Sequence, residues 1–218
     1  MKSSKILSVL LSAALAVFFL STAIAFPILC RPFYYAQADS LDLAARTGWS
    51  EDVIHEAYNE VMDYLVYGAA FGTGALRWSE DGRAHFEDCQ RLFRLDFILL
   101  GGSAAALAVL TGLSRRVRPH RFLGRSPAFW AAAVMTALFL AAALWAVADF
   151  NGLFTAFHHA FFPGKTNWVF DARFDQIILI LPEAFWARTG ALVLALSLGG
   201  LWLTALIWAV ISRRSRGA

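Results

Sequence analysis

Charge is what this chain has least of. Asp, Glu, Lys and Arg make up 16% of its 218 residues, against about 25% in ordinary globular chains. Apolar residues make up 59%, and this balance argues against a soluble protein. Acid is missing from three stretches that do carry base: the N-terminus (Lys2, Lys5), the segment 114–126 (Arg115, Arg116, Arg118, Arg121, Arg125) and the tail (Arg213, Arg214, Arg216). The chain has no HExxH, which leaves a zincin-type metal site without its usual scaffold. It has no G-x-S-x-G, so it lacks the nucleophile elbow of the common serine hydrolases. It has two cysteines, Cys30 and Cys89, whose spacing suggests no metal site and leaves both a disulfide and two free thiols open. No internal repeat or low-complexity tract is present.

What the chain has in quantity is uninterrupted apolar sequence. Residues 6–29, 97–113, 127–148 and 189–212 contain no charged side chain. About 20 apolar residues cross the roughly 30 Å hydrocarbon layer of a bilayer. The second run is short but extends back to Leu92, so the spans are read as 6–29, 92–113, 127–148 and 189–212. Ala23-Ile24-Ala25 resembles a signal-peptidase site. The apolar run around it is about twice the usual 7–15-residue signal core, and an uncleaved first span is expected. The three basic, acid-free segments then share one side of the membrane. The positive-inside rule makes that side the cytoplasm, with the basic loop against anionic lipid rather than nucleic acid. The expected fold class is an all-α membrane protein, residues 1–218 forming a single integral membrane domain. It has four transmembrane helices, both termini cytoplasmic, and two extracytoplasmic helical segments, about 31–91 and 149–188, at the outer leaflet.

Those two segments hold all sixteen Asp and Glu residues, once the span edges to Asp96 and Asp149 are included. The first begins with RPFYYAQADS, read as irregular. Ser50 then reads as an N-cap, with Glu51 and Asp52 at the positive end of the following helix. Ile54, Tyr58, Val61, Met62, Leu65 and Ala69 recur at helical spacing, and Gly68 closes the helix. A further helix starting at Ser79-Glu80-Asp81 is expected to run into the second span, with His85, Asp88 and Leu92 on one face. In the second segment Phe150, Phe154, Phe157 and Phe161 form a stripe. At about 100° per residue, His158 falls on the flank of that stripe and His159 nearly opposite it. Pro163-Gly164 ends the helix, Trp168 reads as an interface anchor, and Asp171 and Asp175 would share a face of any helix there.

The chemistry-bearing residues of these segments are His55, His85, His158, His159, Asp88, Asp149, Asp171, Asp175 and Glu183. Imidazole titrates near neutral pH, so two histidines at a lipid surface could serve as general base and acid. His85-x-x-Asp88 alone is a weak metal signature. Surface or interface histidines with no catalytic role remain a reading on residue types alone.

Two blocks, YLVYGAAFGTGALRWSEDGRAHFEDCQRLF (64–93) and DFNGLFTAFHHAFFPGKTNWVFDARFDQIILILPEAFW (149–186), resemble the signatures of a family of small four-helix bacterial membrane proteins. That family includes the lipoprotein intramolecular transacylase. The motifs are E-x-x-x-x-H-x-x-D in the first block, then F-H-x-x-F-F, W-x-x-D, D and L-P-E in the second. The resemblance implies His85 and His158 as catalytic residues, with Glu80, Asp88, Asp171 and Asp175 supporting them. Asp88 or Asp171 would be the group that orients an imidazole. It implies no metal and no cofactor. Its partners would be diacylglyceryl-modified bacterial lipoproteins and membrane lipid, and its reaction would move the sn-2 acyl chain to the α-amine of the lipidated cysteine. Cys89-Gln90 departs from the pattern, in which an aliphatic residue and often a lysine follow the Asp. Two other readings fit the same scaffold: a non-catalytic accessory or sensor protein, and a hydrolase or acyltransferase of free phospholipid, metal-dependent or not.

Overall fold

The computed structural model describes residues 3–217, with side chains to Ser212. Lys2 and the side chains of Arg213, Arg214 and Arg216 lie outside the described residues. The fold is helical. The α-helices are α1 (Lys5–Leu29), α2 (Arg31–Ser40), α3 (Leu43–Thr47), α4 (Glu51–Tyr67), α5 (Glu80–Leu113), α6 (Pro127–Ala148), α7 (Phe150–Phe161), α8 (Ile177–Ile180) and α9 (Glu183–Gly217). Four of these helices, over Lys5–Leu29, Glu80–Leu113, Pro127–Ala148 and Glu183–Ser212, are long and apolar enough to cross a membrane. They contain the four uncharged runs. The chain divides into two compact units, one of residues 1–24, 97–149 and 192–218, the other of residues 25–96 and 150–191.

The first unit is built from apolar helix. Leu15 of α1, Ala128, Ala131, Ala132 and Met135 of α6, and Leu201 and Ala205 of α9 form one buried cluster. Lipid tails are as apolar as leucine, so small side chains that allow close approach do the packing. Gly200 allows one such close contact: a Cβ there would stand 2.3 Å from the Phe19 ring. Ser12 Oγ donates to the Pro127 carbonyl at 2.9 Å, and Trp202 Nε1 donates to Thr136 Oγ1 at 3.1 Å. A two-residue parallel bridge pairs Ser3 with Arg118 and Ser4 with Pro119.

The second unit has a conventional core. Tyr34 is fully buried and stacks on Tyr58 with centroids 3.6 Å apart. Its hydroxyl donates to the Ile180 carbonyl at 3.0 Å, which ties α2 to α8. RPFYYAQADS is helical here, contrary to the irregular reading. Pro32 sits in the first turn, where its missing N–H costs nothing, and Tyr34 and Ala38 supply a buried stripe. α4 forms as its caps dictate: Ser50 Oγ accepts from Val53 N, and Gly68 closes the helix at φ 72°.

Candidate active site

Two elements of the second unit bring the predicted histidines together. The start of α5 is fixed by Ser79, whose Oγ accepts from Gly82 N at 3.0 Å. Asp175 in turn accepts from Ser79 N and Oγ at 2.8 and 2.9 Å, which locks the loop after α7 onto this helix start. Two turns on, His85 and Asp88 face inward, 8% and 6% exposed. α7 carries His158, 6% exposed, while its neighbour His159 is exposed. The helical-wheel distinction between the two adjacent histidines matches their burial. The His85 and His158 ring centroids are 5.7 Å apart.

Aromatic rings enclose this pair. Phe162 and Phe170 meet His85 edge-on at 5.0 and 5.5 Å. Trp168 stacks on His158 at 4.5 Å and Phe154 lies 4.1 Å away. Trp168, expected as an interface anchor, is also a wall of the histidine site. Phe157 and Phe161, on the other flank of α7, stay exposed.

The hydrogen bonds separate the two rings. His158 Nδ1 lies 2.7 Å from the Phe154 carbonyl. A carbonyl only accepts, so Nδ1 carries the proton and Nε2 keeps the lone pair. His85 Nε2 lies 3.5 Å from Cys89 Sγ, and His85 Nδ1 is buried without a protein partner. Burial lowers the pKa of both rings. For His85 the neighbouring His158 and Lys165 add to the effect, Asp88 opposes it, and the value falls to about 4. For His158 the Phe154 bond opposes burial without cancelling it. Both rings are neutral at pH 7.

Asp88, Asp171, Asp175 and Glu80 each bond groups other than the two imidazoles. Asp88 does not bond either imidazole. Lys165 Nζ donates to both its oxygens, Asn167 Nδ2 donates at 3.3 Å and Arg91 at 3.4 Å. Burial pushes the Asp88 carboxyl up, and Lys165 with Asn167 outweighs it, holding the group below its usual range. Asp171 and Asp175 share no helix face, because the segment between them folds as turns. Asp171 pairs with Arg173, which holds its carboxyl down at about 2. Glu80 pairs with Arg83 at the surface. His55 packs on Tyr35 at 4.1 Å and has no ring contact with the histidine pair. Sequence reasoning missed Lys165 and Asn167; the only signal was that PGKTNW follows the histidine helix directly. Cys30 and Cys89 are free thiols. Among the described residues no three His, Cys, Asp or Glu side chains converge as metal ligands.

The sequence profile of the family described as lipoprotein intramolecular transacylase Lit matches residues 9–186. The chain belongs to the Lit family. A structure of the membrane-integral Lit from Bacillus cereus superposes with a TM-score of 0.88 at 21% identity, covering 98% of this chain and 97% of that one. Two further structures of B. cereus Lit carry a single histidine replaced by arginine or by alanine. They superpose at 0.81 and 0.82, at 21% and 22% identity, covering 97% and 98% of this chain and 92% and 95% of theirs. No curated protein matches this sequence. With its four apolar helices, this Lit family member is a multi-pass membrane protein.

Proposed function

We propose that this protein is a lipoprotein intramolecular transacylase. It transfers the sn-2 acyl chain of a diacylglyceryl-cysteine to that cysteine's own α-amine and leaves a lyso-glyceryl, N-acyl lipoprotein. The observation that carries the reading is the buried, aromatic-walled pair of imidazoles, 5.7 Å apart, one with a free Nε2 lone pair. The nucleophile is the substrate's amine. With a pKa near 8, about a tenth of it is the free base at pH 7. Its attack on the ester carbonyl forms the N–C bond and puts negative charge on the carbonyl oxygen. His158 Nε2 takes the proton the amine sheds. The tetrahedral intermediate collapses, the bond between the acyl carbon and the glyceryl oxygen breaks, and His158 returns the proton to that leaving oxygen.

One imidazole thus serves as base and then as acid, and no net proton is gained or lost. A neutral His85 is a poor general acid, since giving up its only proton would leave an imidazolate. As a hydrogen-bond donor to the developing oxyanion it suits the chemistry, as neutral imidazoles do in other enzymes. Holding ester and amine together lowers the barrier through proximity, and the aromatic walls keep out the water that would hydrolyse the ester.

The test is mass spectrometry of the N-terminal lipopeptide of a reporter lipoprotein, in a strain with no other N-acylating enzyme. The wild type is expected to yield the N-acyl lyso form. His158→Ala should lower its formation by about 10²–10⁴-fold, and His85→Ala by about 10²–10³-fold. An unchanged diacylglyceryl form despite membrane expression overturns the reading. A lyso form with a free amine makes the protein a hydrolase.

A further inference from the structure

We infer that Cys89 is a positioning residue that sets the tautomer of His85, placing its proton on Nδ1, toward the substrate. The inference rests on the transacylase reading for its purpose and on geometry for its content.

Cys89 stands one helical turn beyond His85 on α5, and its Sγ lies 3.5 Å from His85 Nε2. A neutral imidazole has one proton and one lone pair, so this contact has two forms. In one the thiol donates to the Nε2 lone pair and the ring proton sits on Nδ1. In the other Nε2–H points at sulfur and the lone pair sits on Nδ1. A thiol is a weak donor and a weak acceptor, whereas an imidazole nitrogen is a strong acceptor. The first form gives the strong acceptor a partner, and the second spends a good donor on a poor one. The thiol has the proton to give, because burial pushes its pKa up to about 12.

The other face of the ring completes the argument. His85 is 8% exposed, and its Nδ1 is buried with no protein partner. A proton held there has no protein acceptor and is left for a ligand oxygen. Several groups around the ring are already engaged. Asp88 is occupied by Lys165 and Asn167, His158 Nδ1 is bonded to Phe154, and Phe162 and Phe170 present ring edges. Phe154 and Cys89 therefore act as a pair. A carbonyl acceptor fixes one histidine as the Nδ1–H, Nε2-basic form, and a thiol donor fixes the other with Nδ1–H directed at the reacting oxygen.

The experiment is long-range ¹H–¹⁵N correlation spectroscopy of the ¹⁵N-histidine-labelled full chain in detergent. The five histidines keep the spectrum simple, and a His85→Gln sample assigns the resonance. The wild type is expected to show His85 protonated at Nδ1. In Cys89→Ala and Cys89→Val the ring should shift to a mixture with Nε2–H. Lipopeptide turnover should fall about 10–100-fold in kcat, as when partners that orient functional imidazoles are lost, with KM nearly unchanged. An Nε2–H tautomer in the wild type, or an unaltered Nδ1–H tautomer in both variants, overturns the inference. An Nε2–H wild type overturns the inference whatever the variants do, and having two variants keeps the role of Cys89 readable if one fails to fold. The two readings fail separately: an inactive wild type with Nδ1–H sinks the reaction, and an active wild type with Nε2–H sinks the role of Cys89.

Discussion

At the scale of single residues, two imidazoles have been taken out of water and kept neutral. The consequence is a pH dependence whose sign can be worked out. His85 has a pKa of about 4 in the folded chain and about 6.5 when unfolded. Between those values the unfolded state binds the additional proton, so folding weakens as pH falls from about 6.5 to about 4 and weakens no further below that. Two and a half units correspond to about 3 kcal/mol. We expect the thermal midpoint in detergent to drop from pH 7 to pH 4.5, and His85→Gln to flatten that drop. An equal drop in both proteins would show that the weakening comes from other groups. Catalysis should be less acid-sensitive than a free imidazole predicts, because His158 also titrates below its ordinary range. Much of this scale was legible in the sequence. Helical geometry separates His158 from His159, and i, i+3 spacing puts His85 with Asp88. The bonds to Phe154 and Cys89 were not legible, because hydrogen-bond partners one turn away depend on rotamers that spacing alone does not fix.

At the scale of elements, the histidine site depends on how the loop after α7 is fastened to the start of α5. Ser79, Gly82 and Asp175 make that joint. Glycine at position 82 is required by crowding: a Cβ there would stand 2.1 Å from Asp175 Oδ1 and 2.9 Å from its Cγ. Alanine is the better helix former by about 1 kcal/mol, so on propensity alone Gly82→Ala would stabilise. We expect it to destabilise by about 1–3 kcal/mol, the usual cost of overpacking. Gly112→Ala, with no atom within 4 Å of the added Cβ, should not. In a double-mutant cycle Asp175→Ala should be less costly in the Gly82→Ala background than alone, with coupling read from the thermal midpoints. Additive effects would mean that the two positions do not meet. The helices themselves were readable from apolar runs, the Ser50 cap and the Gly68 stop. The joint was not. Asp171 and Asp175 fit helical spacing, yet the chain turns between them, because Asp171 binds Arg173 while Asp175 is drawn to Ser79.

At the scale of the whole molecule, charge and apolarity are sorted between the two units. Every Asp and Glu except Asp149 falls in the unit of residues 25–96 and 150–191. The loop between α5 and α6 has five arginines and no acid. Such asymmetry sets orientation, since short basic loops stay on the cytoplasmic side. A transacylase acting on exported lipoproteins needs its histidines on the opposite side. Charge distribution and proposed chemistry therefore make one demand on topology from independent premises. The check is a pair of fusions to each of two reporters, one set joined after His120 and one after Gly164. A reporter that fluoresces only in the cytoplasm should be bright after His120 and dark after Gly164. A phosphatase active only outside should show the reverse. Replacing the five loop arginines by glutamine should erode the asymmetry, because those arginines carry the positive-inside signal between the second and third spans. If the native fusions reported the opposite orientation, His85 and His158 would face the cytoplasm. They would then lie across the membrane from the lipidated N-termini they are proposed to modify, and the transacylase reading would fall even with the histidine geometry intact.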